Sequence, residues 1–205
     1  MQCIPDIVNA RVAWSVANRP RPGETASGDV HIVKPFEGGV LLAAADGLGH
    51  GAEAVVAAQT AAAVLEEDPG AELETLVRRC HVALLRTRGA VITLASLRWS
   101  DSRLTWLGVG NVEAVLLRAN PPARMRVVLR NGIVGYRLPE LRVTALPMAP
   151  DDLLVFATDG LKNGFSEGLP HNASLQQIAD GILERHFKGT DDALVLVLRY
   201  VSASH

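Results

Sequence analysis

The stretch Val40-Leu41-Leu42-Ala43-Ala44-Ala45-Asp46-Gly47 decides the fold, because an uncharged apolar run ends abruptly in a carboxylate and a glycine. Such a run is typical of a β-strand. A second run, Leu153 to Thr158, ends in the same way at Asp159-Gly160. Asp29 precedes one further strand-like run and Asp191-Asp192 precedes another. We therefore predict that four stretches each deliver a carboxylate from a strand end into a shared cleft.

The composition limits the class of protein. The 205 residues are 48% hydrophobic and 20% charged with a net charge of -2, which suits one globular domain and lacks the basic excess of nucleic-acid binders. Aromatic residues make up only 4%, which argues against base-stacking surfaces. The cysteines Cys3 and Cys80 are too few for a disulfide framework or a zinc cluster and suit a reducing cytoplasm. We find no signal peptide and no membrane segment, so a cytoplasmic protein is expected.

Hydrophobic periodicity predicts a hairpin early in the chain. After a first strand within residues 10–17, Val30 to Val33 and Val40 to Ala45 form two strands joined by a turn at Pro35 to Gly39. Asp29 opens the first strand of this hairpin and Asp46 closes the second. The two carboxylates should therefore lie side by side.

The rest of the chain predicts an α+β fold in which helices cover sheets. Residues 50–88 have helical spacing and a break at Asp68-Pro69-Gly70, which indicates an antiparallel helix pair, and a third helix spans Ser174 to Phe187. The last strand, Ala193 to Tyr200, is apolar enough for a central position. Turn signals such as Gly110-Asn111 suggest an antiparallel meander among the remaining strands. These are Val91–Trp99, Arg103–Val109, Val112–Leu117, Arg126–Leu129, Arg142–Ala145 and Leu153–Ala157.

The aspartates together predict a metal site. A single Asp-Gly is usually only a turn, and Asp191-Asp192 alone fits a solvated turn as well as a ligand. Carboxylates gathered from several strand ends, however, are what hard divalent cations and two-metal centres require. Glycine after Asp46 would also let the Gly47 carbonyl approach a cation. Both Asp-Gly pairs are expected to precede a helical segment.

His50 lies between Gly49 and Gly51 at the predicted start of the first helix. Two interpretations are equally open. It could act as a general acid or phosphate contact, because the flanking glycines leave its ring accessible. It could equally be an ordinary loop histidine at a helix entrance.

The motifs that contain these aspartates resemble, in order, those of the metal-dependent type 2C (PPM) serine/threonine phosphatases. The motifs are Gly23–Asp29, Ala45–Gly51, Ala157–Gly160 and Thr190–Ala193. The pattern is most similar to the bacterial SpoIIE/RsbX-like branch, because Ser27-Gly28-Asp29 and Asp46-Gly47-Leu48-Gly49-His50-Gly51 follow its usual sequence. The resemblance covers nearly the whole chain and implies a single catalytic domain over residues 1–205.

The resemblance implies a four-layer α-β-β-α sandwich of two antiparallel sheets, with two manganese or magnesium ions between them. Asp46 would bridge both ions and Gly47 would bind one through its carbonyl. Asp159 and Asp191 would complete the other, and Asp29 would hold water in the second shell or ligate directly. Hydroxide from a metal-activated water would then attack the phosphorus of the substrate phosphate, in line with the departing seryl or threonyl oxygen.

Two departures from the family pattern limit what the resemblance implies. Asn111 stands where many members have an aspartate that helps to hold a third metal, and an amide is a poorer cation ligand, which argues against a third ion. No arginine can be assigned to the family's usual phosphate-binding position; Arg19 or Arg21 could approach the site or could lie in a solvated loop. The role of His50 also does not transfer by alignment.

The implied function is hydrolysis of phosphoserine or phosphothreonine on a phosphorylated STAS-domain regulatory protein of a stressosome-type, stress-response complex. Two alternatives stay open. The chain could be a catalytically silent phosphoprotein-binding module, although it retains the core aspartates. It could also be a two-metal phosphoesterase that acts on nucleotides or other small phosphate esters. Neither nucleic acid nor a membrane is expected as a partner.

Overall fold

A computed structural model describes residues 6–8, 11–170 and 173–201. The helices are α1 (Ala52–Glu67), α2 (Leu73–Ala83) and α3 (Leu175–His186). The strands are β1 (Asp6–Val8), β2 (Val12–Arg19), β3 (Asp29–Phe36), β4 (Gly39–Gly47), β5 (Ala90–Arg98), β6 (Arg103–Val109), β7 (Glu113–Arg118), β8 (Ala123–Arg126), β9 (Leu129–Arg130), β10 (Thr144–Pro147), β11 (Leu153–Ala157) and β12 (Ala193–Tyr200). Within these described ranges, no helix combines the length and the apolar character needed to cross a membrane.

The strands form two sheets that pack face to face. The first sheet has the order β1-β2-β12-β11-β7-β8, and the second has the order β10-β6-β5-β4-β3 with β9 added beside β6. Every pairing is antiparallel except the short β6–β9 contact, which is parallel. β12 lies between β2 and β11, which confirms the central position predicted for the last strand.

Strand β4 shows why the opening sequence stretch decides this architecture. Successive side chains of a strand point to opposite faces. Val40, Leu42 and Ala44 therefore pack into the core between the sheets. The alternate residues Leu41 and Ala43 pack, fully buried, with α1 and α2 on the other face. A strand buried on both faces needs apolar residues at every position, as this stretch provides.

The same alternation places α3 on the opposite outer face. Leu194, Leu196 and Leu198 of β12 join the core between the sheets, and Val195 and Val197 join the α3 cluster. The resulting order of layers is α1/α2, second sheet, first sheet, α3. The predicted α-β-β-α sandwich is therefore confirmed.

Two sequence-based predictions about the strands were wrong. Gly110-Asn111 does not close a hairpin of a meander, because β6 and β7 belong to different sheets and this turn carries the chain from one to the other. The strand predicted over Arg126–Leu129 is instead divided between β8 and β9. The chain changes sheets again at this point, so one continuous strand could not serve both.

The helices were predicted with small differences. α2 ends at Ala83 rather than near Gly89, because residues 84–87 form turns. α3 begins after Ser174, whose side chain accepts a hydrogen bond from the Gln177 backbone N–H in a capping box. Cys80 of α2 is fully buried, and burial raises the pKa of its thiol to about 12, so it is a packing residue. Cys3 lies outside the described residues.

A buried ion pair fixes the end of the sandwich where β7 ends and β11 begins. Asp152 is fully buried, and its carboxylate accepts hydrogen bonds from Arg118 Nη1 at 2.6 Å and from the backbone N–H groups of Ala119 at 2.9 Å and Ala149 at 2.8 Å. Its partner Arg118 is itself only 20% exposed at the side chain. Removal of the Asp152 carboxylate leaves the Arg118 charge and the two backbone N–H groups without their acceptor.

We expect Asp152→Asn to destabilise the fold by about 3 kcal/mol, the cost typical of breaking a buried ion pair. The neighbouring exposed Asp151 provides the matched control, because Asn tolerates the positive φ of 67° found there. Urea unfolding of both variants measures the difference. Equal midpoints for the two variants would contradict a structural role of the Asp152–Arg118 pair.

Candidate metal centre

The strand register brings the predicted aspartates together. In the β3–β4 hairpin, Asp29 and Asp46 are direct cross-strand partners. In the first sheet, β11 pairs antiparallel with β12, so the loop that begins at Thr158 lies beside the loop that ends at Asp192. The backbone N–H of Thr158 donates to the carbonyl of Leu194 at 3.1 Å and closes this junction.

Two glycines let these segments approach closely. A Cβ on Gly47 would lie 2.0 Å from the Ala54 carbonyl oxygen of α1, and a Cβ on Gly160 would lie 1.8 Å from the Asp192 carbonyl oxygen. Neither space can hold a methyl group. The glycine after each aspartate is therefore needed for backbone contact, a reason that the sequence alone did not supply. Only Asp46-Gly47 leads into a helix. Residues 161–170 form mostly turns, so the helix expected after Asp159-Gly160 is absent there.

Thr158 joins the two sheets beneath the site. Its buried hydroxyl donates to Asp29 Oδ2 at 2.7 Å and accepts a hydrogen bond from the Leu194 backbone N–H at 2.8 Å. Asp29 belongs to the second sheet, whereas Thr158 and Leu194 belong to the first. Sequence reasoning assigned no role to Thr158. The signal was a hydroxyl residue at the end of an apolar strand, directly before a predicted ligand.

Asp192 anchors the loop before β3. Its carboxylate accepts hydrogen bonds from the backbone N–H groups of Arg21 and Gly28, both at 2.7 Å. It is buried, whereas the adjacent Asp191 is partly exposed. The two neighbouring aspartates therefore have different environments: Asp192 is committed to the backbone, and Asp191 is available at the cavity.

Three of the predicted ligands and His50 line one cavity of about 310 Å³. The lining residues are Arg21, Asp46, Leu48, Gly49, His50, Val91, Asn111, Asp159 and Asp191. Gly47 and Asp29 are buried and are not part of this lining. The structure thus brings Asp46, Asp159 and Asp191 to a common space and holds Asp29 behind it.

Burial, together with the neighbouring negative charges, raises the pKa values of three of the aspartates. Burial, followed by the negative charges of Asp29 and Asp159, raises the pKa of Asp46 to about 9. Burial also raises the pKa of Asp29 to about 7, opposed by the hydrogen bond from Thr158. The pKa of Asp159 is raised by burial and by Asp191. Without a cation, these carboxylates cannot all be ionised near neutral pH. A bound divalent cation would favour their ionised forms.

The donor set fits hard cations that keep part of their water shell. In the part of the chain that the structure describes, no three His, Cys, Asp or Glu side chains lie in an arrangement that could by itself hold a metal ion. Magnesium is commonly bound by one or two carboxylates, with water completing its shell. Asp46, Asp159 and Asp191 supply those carboxylates.

Side chains at the rim act on Asp159 and His50. Asn111 Nδ2 donates to Asp159 Oδ2 at 2.7 Å, and Lys188 Nζ donates to the Asp159 backbone carbonyl. His50 is exposed, with Nδ1 3.4 Å from Glu24 Oε1. Lys188 was not identified from the sequence, where a lone lysine near the end of α3 gives no signal.

Comparison with known proteins defines the family. Residues 37–201 match the family model of Stage II sporulation protein E (SpoIIE). The chain belongs to the SpoIIE family. Its domain is of the PP2C protein phosphatase type, as predicted from the motifs.

A curated relative is the phosphoserine phosphatase RsbX of Bacillus subtilis (strain 168), which is 26% identical over 108 residues. That match covers 53% of this chain and 54% of RsbX, so it spans about half the length of the curated relative.

Solved structures are similar over nearly the whole chain. One, from a study of the bacterial stressosome as a modular system adapted to control secondary messenger signalling, is 30% identical with a TM-score of 0.86 and covers 92% of this chain and 100% of that chain. RsbX in complex with magnesium is 19% identical with a TM-score of 0.85, and the match covers 95% of this chain and 98% of that chain. The Mycobacterium tuberculosis serine/threonine phosphatase PstP/Ppp is 18% identical with a TM-score of 0.71, and the match covers 94% of this chain and 100% of that chain. The last two likenesses establish the shared fold.

We expect the metal-free protein to lose stability as pH rises from about 4 to about 9. The pKa of Asp46 is higher in the folded state than in the unfolded state, so the folded state binds more protons between these pH values. The stabilisation that this proton provides is lost as pH rises through about 9. Asp46→Asn should flatten the profile. Urea midpoints in EDTA between pH 5 and 9 measure it.

The matched control is Glu37→Gln, which removes an exposed carboxylate at the other end of the same hairpin. Magnesium or manganese should abolish most of the decrease in the urea midpoint of the unmodified protein as pH rises. A stability profile that is flat in EDTA, or unchanged by Asp46→Asn, would show that the raised pKa of Asp46 does not set the pH dependence.

Proposed function

We propose that this chain is a metal-dependent protein serine/threonine phosphatase that hydrolyses phosphoserine or phosphothreonine on a regulatory protein. One observation carries the proposal: Asp46, Asp159 and Asp191 line the same cavity as Arg21 and His50. Residues able to supply carboxylates for cations, a guanidinium for phosphate and an imidazole for proton transfer thus line one cavity. Family membership supports this chemistry over other uses of such a cluster.

Asp46, Asp159 and Asp191 would hold two manganese or magnesium ions, with Asp46 shared and the Gly47 carbonyl as a further ligand. When bound, such ions lower the pKa of coordinated water and neutralise charge on a phosphoryl group. Asp29 is held by Thr158 opposite Asp46 and would orient water at the inner side of the site. Asn111 occupies one oxygen of Asp159 through its amide N–H, which supports two ions rather than three.

Arg21 and His50 would act on the substrate. Arg21 lines the cavity, where Asp192 holds its backbone N–H, and its guanidinium would bind phosphate oxygens. His50 would donate a proton to the departing seryl or threonyl oxygen, with its ring oriented by Glu24. Direct attack by water on phosphorus requires no nucleophilic side chain, and no serine, threonine or cysteine is among the residues that line the cavity.

The proposed substrate is a phosphorylated STAS-domain protein of a stressosome-type complex in the cytoplasm. Its support is the 30% identical structure from the stressosome study and the match to RsbX. We also propose that residues 1–205 act as one catalytic domain, because the site draws its residues from both sheets.

Purified protein should release phosphate from phosphoserine proteins and from p-nitrophenyl phosphate only with manganese or magnesium. We expect Asp46→Asn and Asp159→Asn to lower kcat/KM by more than about 100-fold. Mutation of residues that only hold a metal ligand in place typically lowers metal affinity or activity about 10- to 100-fold, and these two substitutions alter proposed ligands. Glu37→Gln serves as the charge-matched control and should retain full activity. Release of inorganic phosphate measures the outcome.

Other results would favour the alternatives. Tight binding of phosphoproteins without turnover in the metal-loaded protein would indicate a silent binding module. Faster turnover of nucleotides than of phosphoproteins would indicate a phosphoesterase for small esters.

Arg21→Ala should raise KM for p-nitrophenyl phosphate about tenfold, because a charge-assisted hydrogen bond is worth roughly 1.5–3 kcal/mol. The control is Arg19→Ala. Arg19 lies in the same part of the chain but its guanidinium packs 5.1 Å from the Phe187 ring centroid rather than lining the cavity. Equal effects of the two substitutions would contradict a specific phosphate contact by Arg21.

A further inference from the structure

Exposed apolar side chains collect at the C-terminal end of α2. Val82 is 67% exposed and Leu85 is 58% exposed, whereas most residues of their size are buried in the cores of this protein. Tyr136, at 79%, follows Gly135, whose backbone N–H donates to His81 Nδ1 of α2 at 2.9 Å. Single exposed apolar residues are normal, but a group at one place marks a contact surface.

The start of α1 extends this surface. Val56, which is 54% exposed, and Arg86 line one cavity of about 430 Å³. The antiparallel packing of α1 on α2 explains this contact, because it sets the first turns of α1 beside the residues that follow α2. We name the surface formed by Val56, Val82, Leu85, Arg86 and Tyr136 the α2 face.

Arg88 connects the α2 face to the candidate metal centre. It lines the same cavity as Val56 and Arg86, and it forms an ion pair with Glu53. Its Nη1 atom also lies 3.0 Å from the position that a Cβ on Gly49 would take. Gly49 lines the metal-site cavity. A chain bound at the α2 face could therefore continue past Arg88 to the metal centre.

The charge of the α2 face identifies the kind of partner. Arg78 lies one turn before Val82 on α2, Arg86 follows Leu85, and Arg137 follows Tyr136. All three are exposed, and within the described ranges none forms an ion pair. This local positive charge contrasts with the net charge of -2 of the whole chain. Apolar contacts surrounded by arginine suit an acidic segment that carries large apolar side chains.

We propose that the α2 face docks an acidic, leucine-containing segment of the phosphoprotein substrate, adjacent in sequence to the phosphorylated residue. The inference rests on the proposed phosphatase function and adds where substrate selectivity is set. Docking supplies binding energy away from the reacting phosphate, so it lowers KM for the protein substrate and leaves small esters unaffected.

Two synthetic phosphoserine peptides of equal length test the proposal, one flanked by Asp, Glu and Leu and the other by Ser, Gly and Asn. We expect the unmodified protein to favour the acidic peptide at least tenfold in kcat/KM. The double variant Leu85→Ser/Arg86→Glu should abolish the preference, mainly through KM. Turnover of p-nitrophenyl phosphate should not change.

The matched control is Val128→Ser/Arg103→Glu. Val128 is 63% exposed and Arg103 is exposed without an ion pair in the described residues, and both lie outside the α2 face. This control makes an aliphatic-to-serine change and an arginine-to-glutamate change elsewhere on the surface. It should keep the peptide preference of the unmodified protein.

Other outcomes overturn the proposal. Equal use of both peptides, or a preference that survives in Leu85→Ser/Arg86→Glu, contradicts docking while the phosphatase function stands. Fluorescence anisotropy of both labelled peptides measures binding independently of turnover, so a failure of catalysis alone is recognised separately. If light scattering shows a dimer that this variant dissociates while the peptide preference is retained, the α2 face is an interface between copies instead.

Discussion

The main constraint on this structure is that the fold must hold several acidic side chains close together. Asp29, Asp46, Asp159, Asp191 and Asp192 converge at one end of two packed sheets, and their mutual repulsion contributes to the raised pKa values of Asp29 and Asp46. Without cations, this cluster opposes folding. The free energy that overcomes it comes from the apolar layers on both sides of each sheet, because each buried side chain of Leu or Val size contributes about 1.5–3 kcal/mol. Packing of the apolar layers therefore holds the aspartates in place.

Residues that are not proposed as ligands position those that are. Thr158 connects Asp29 of one sheet to the backbone of the other. Asp192 holds the loop that carries Arg21, and Gly160 allows that aspartate's backbone to pack against the neighbouring loop. A displacement of one sheet relative to the other would break these contacts together. The cavity is therefore organised before a cation or substrate arrives, which is the condition for precise placement of reacting groups.

The sequence predicted those parts of the structure that local patterns determine. The apolar run within Ala193–Tyr200 identified a central, buried strand, and the hairpin predicted from Val30–Val33 and Val40–Ala45 placed Asp29 opposite Asp46 as expected. These features depend on neighbouring residues or on one turn.

Features set by distant contacts could not be predicted in this way. The turn at Gly110-Asn111 has the same residues whether the next strand stays in its sheet or crosses to the other. The distinct environments of Asp191 and Asp192 depend on Arg21 and Gly28, more than 160 residues away in the chain. The steric need for Gly47 depends on how closely α1 approaches. Only the folded chain brings these groups together.

The division between cavity and surface bears on how substrates are distinguished. The phosphoryl group, the attacking water and the cations are the same for every phosphoserine protein, so the cavity formed by Asp46, Asp159 and Asp191 has little with which to separate one substrate from another. Discrimination requires a difference in binding free energy between partners. That difference must arise where proteins differ, outside the cavity. The α2 face meets this requirement because Arg88 links it to the cavity rim, while its side chains, unlike those that position the aspartates, are not needed to keep the two sheets together.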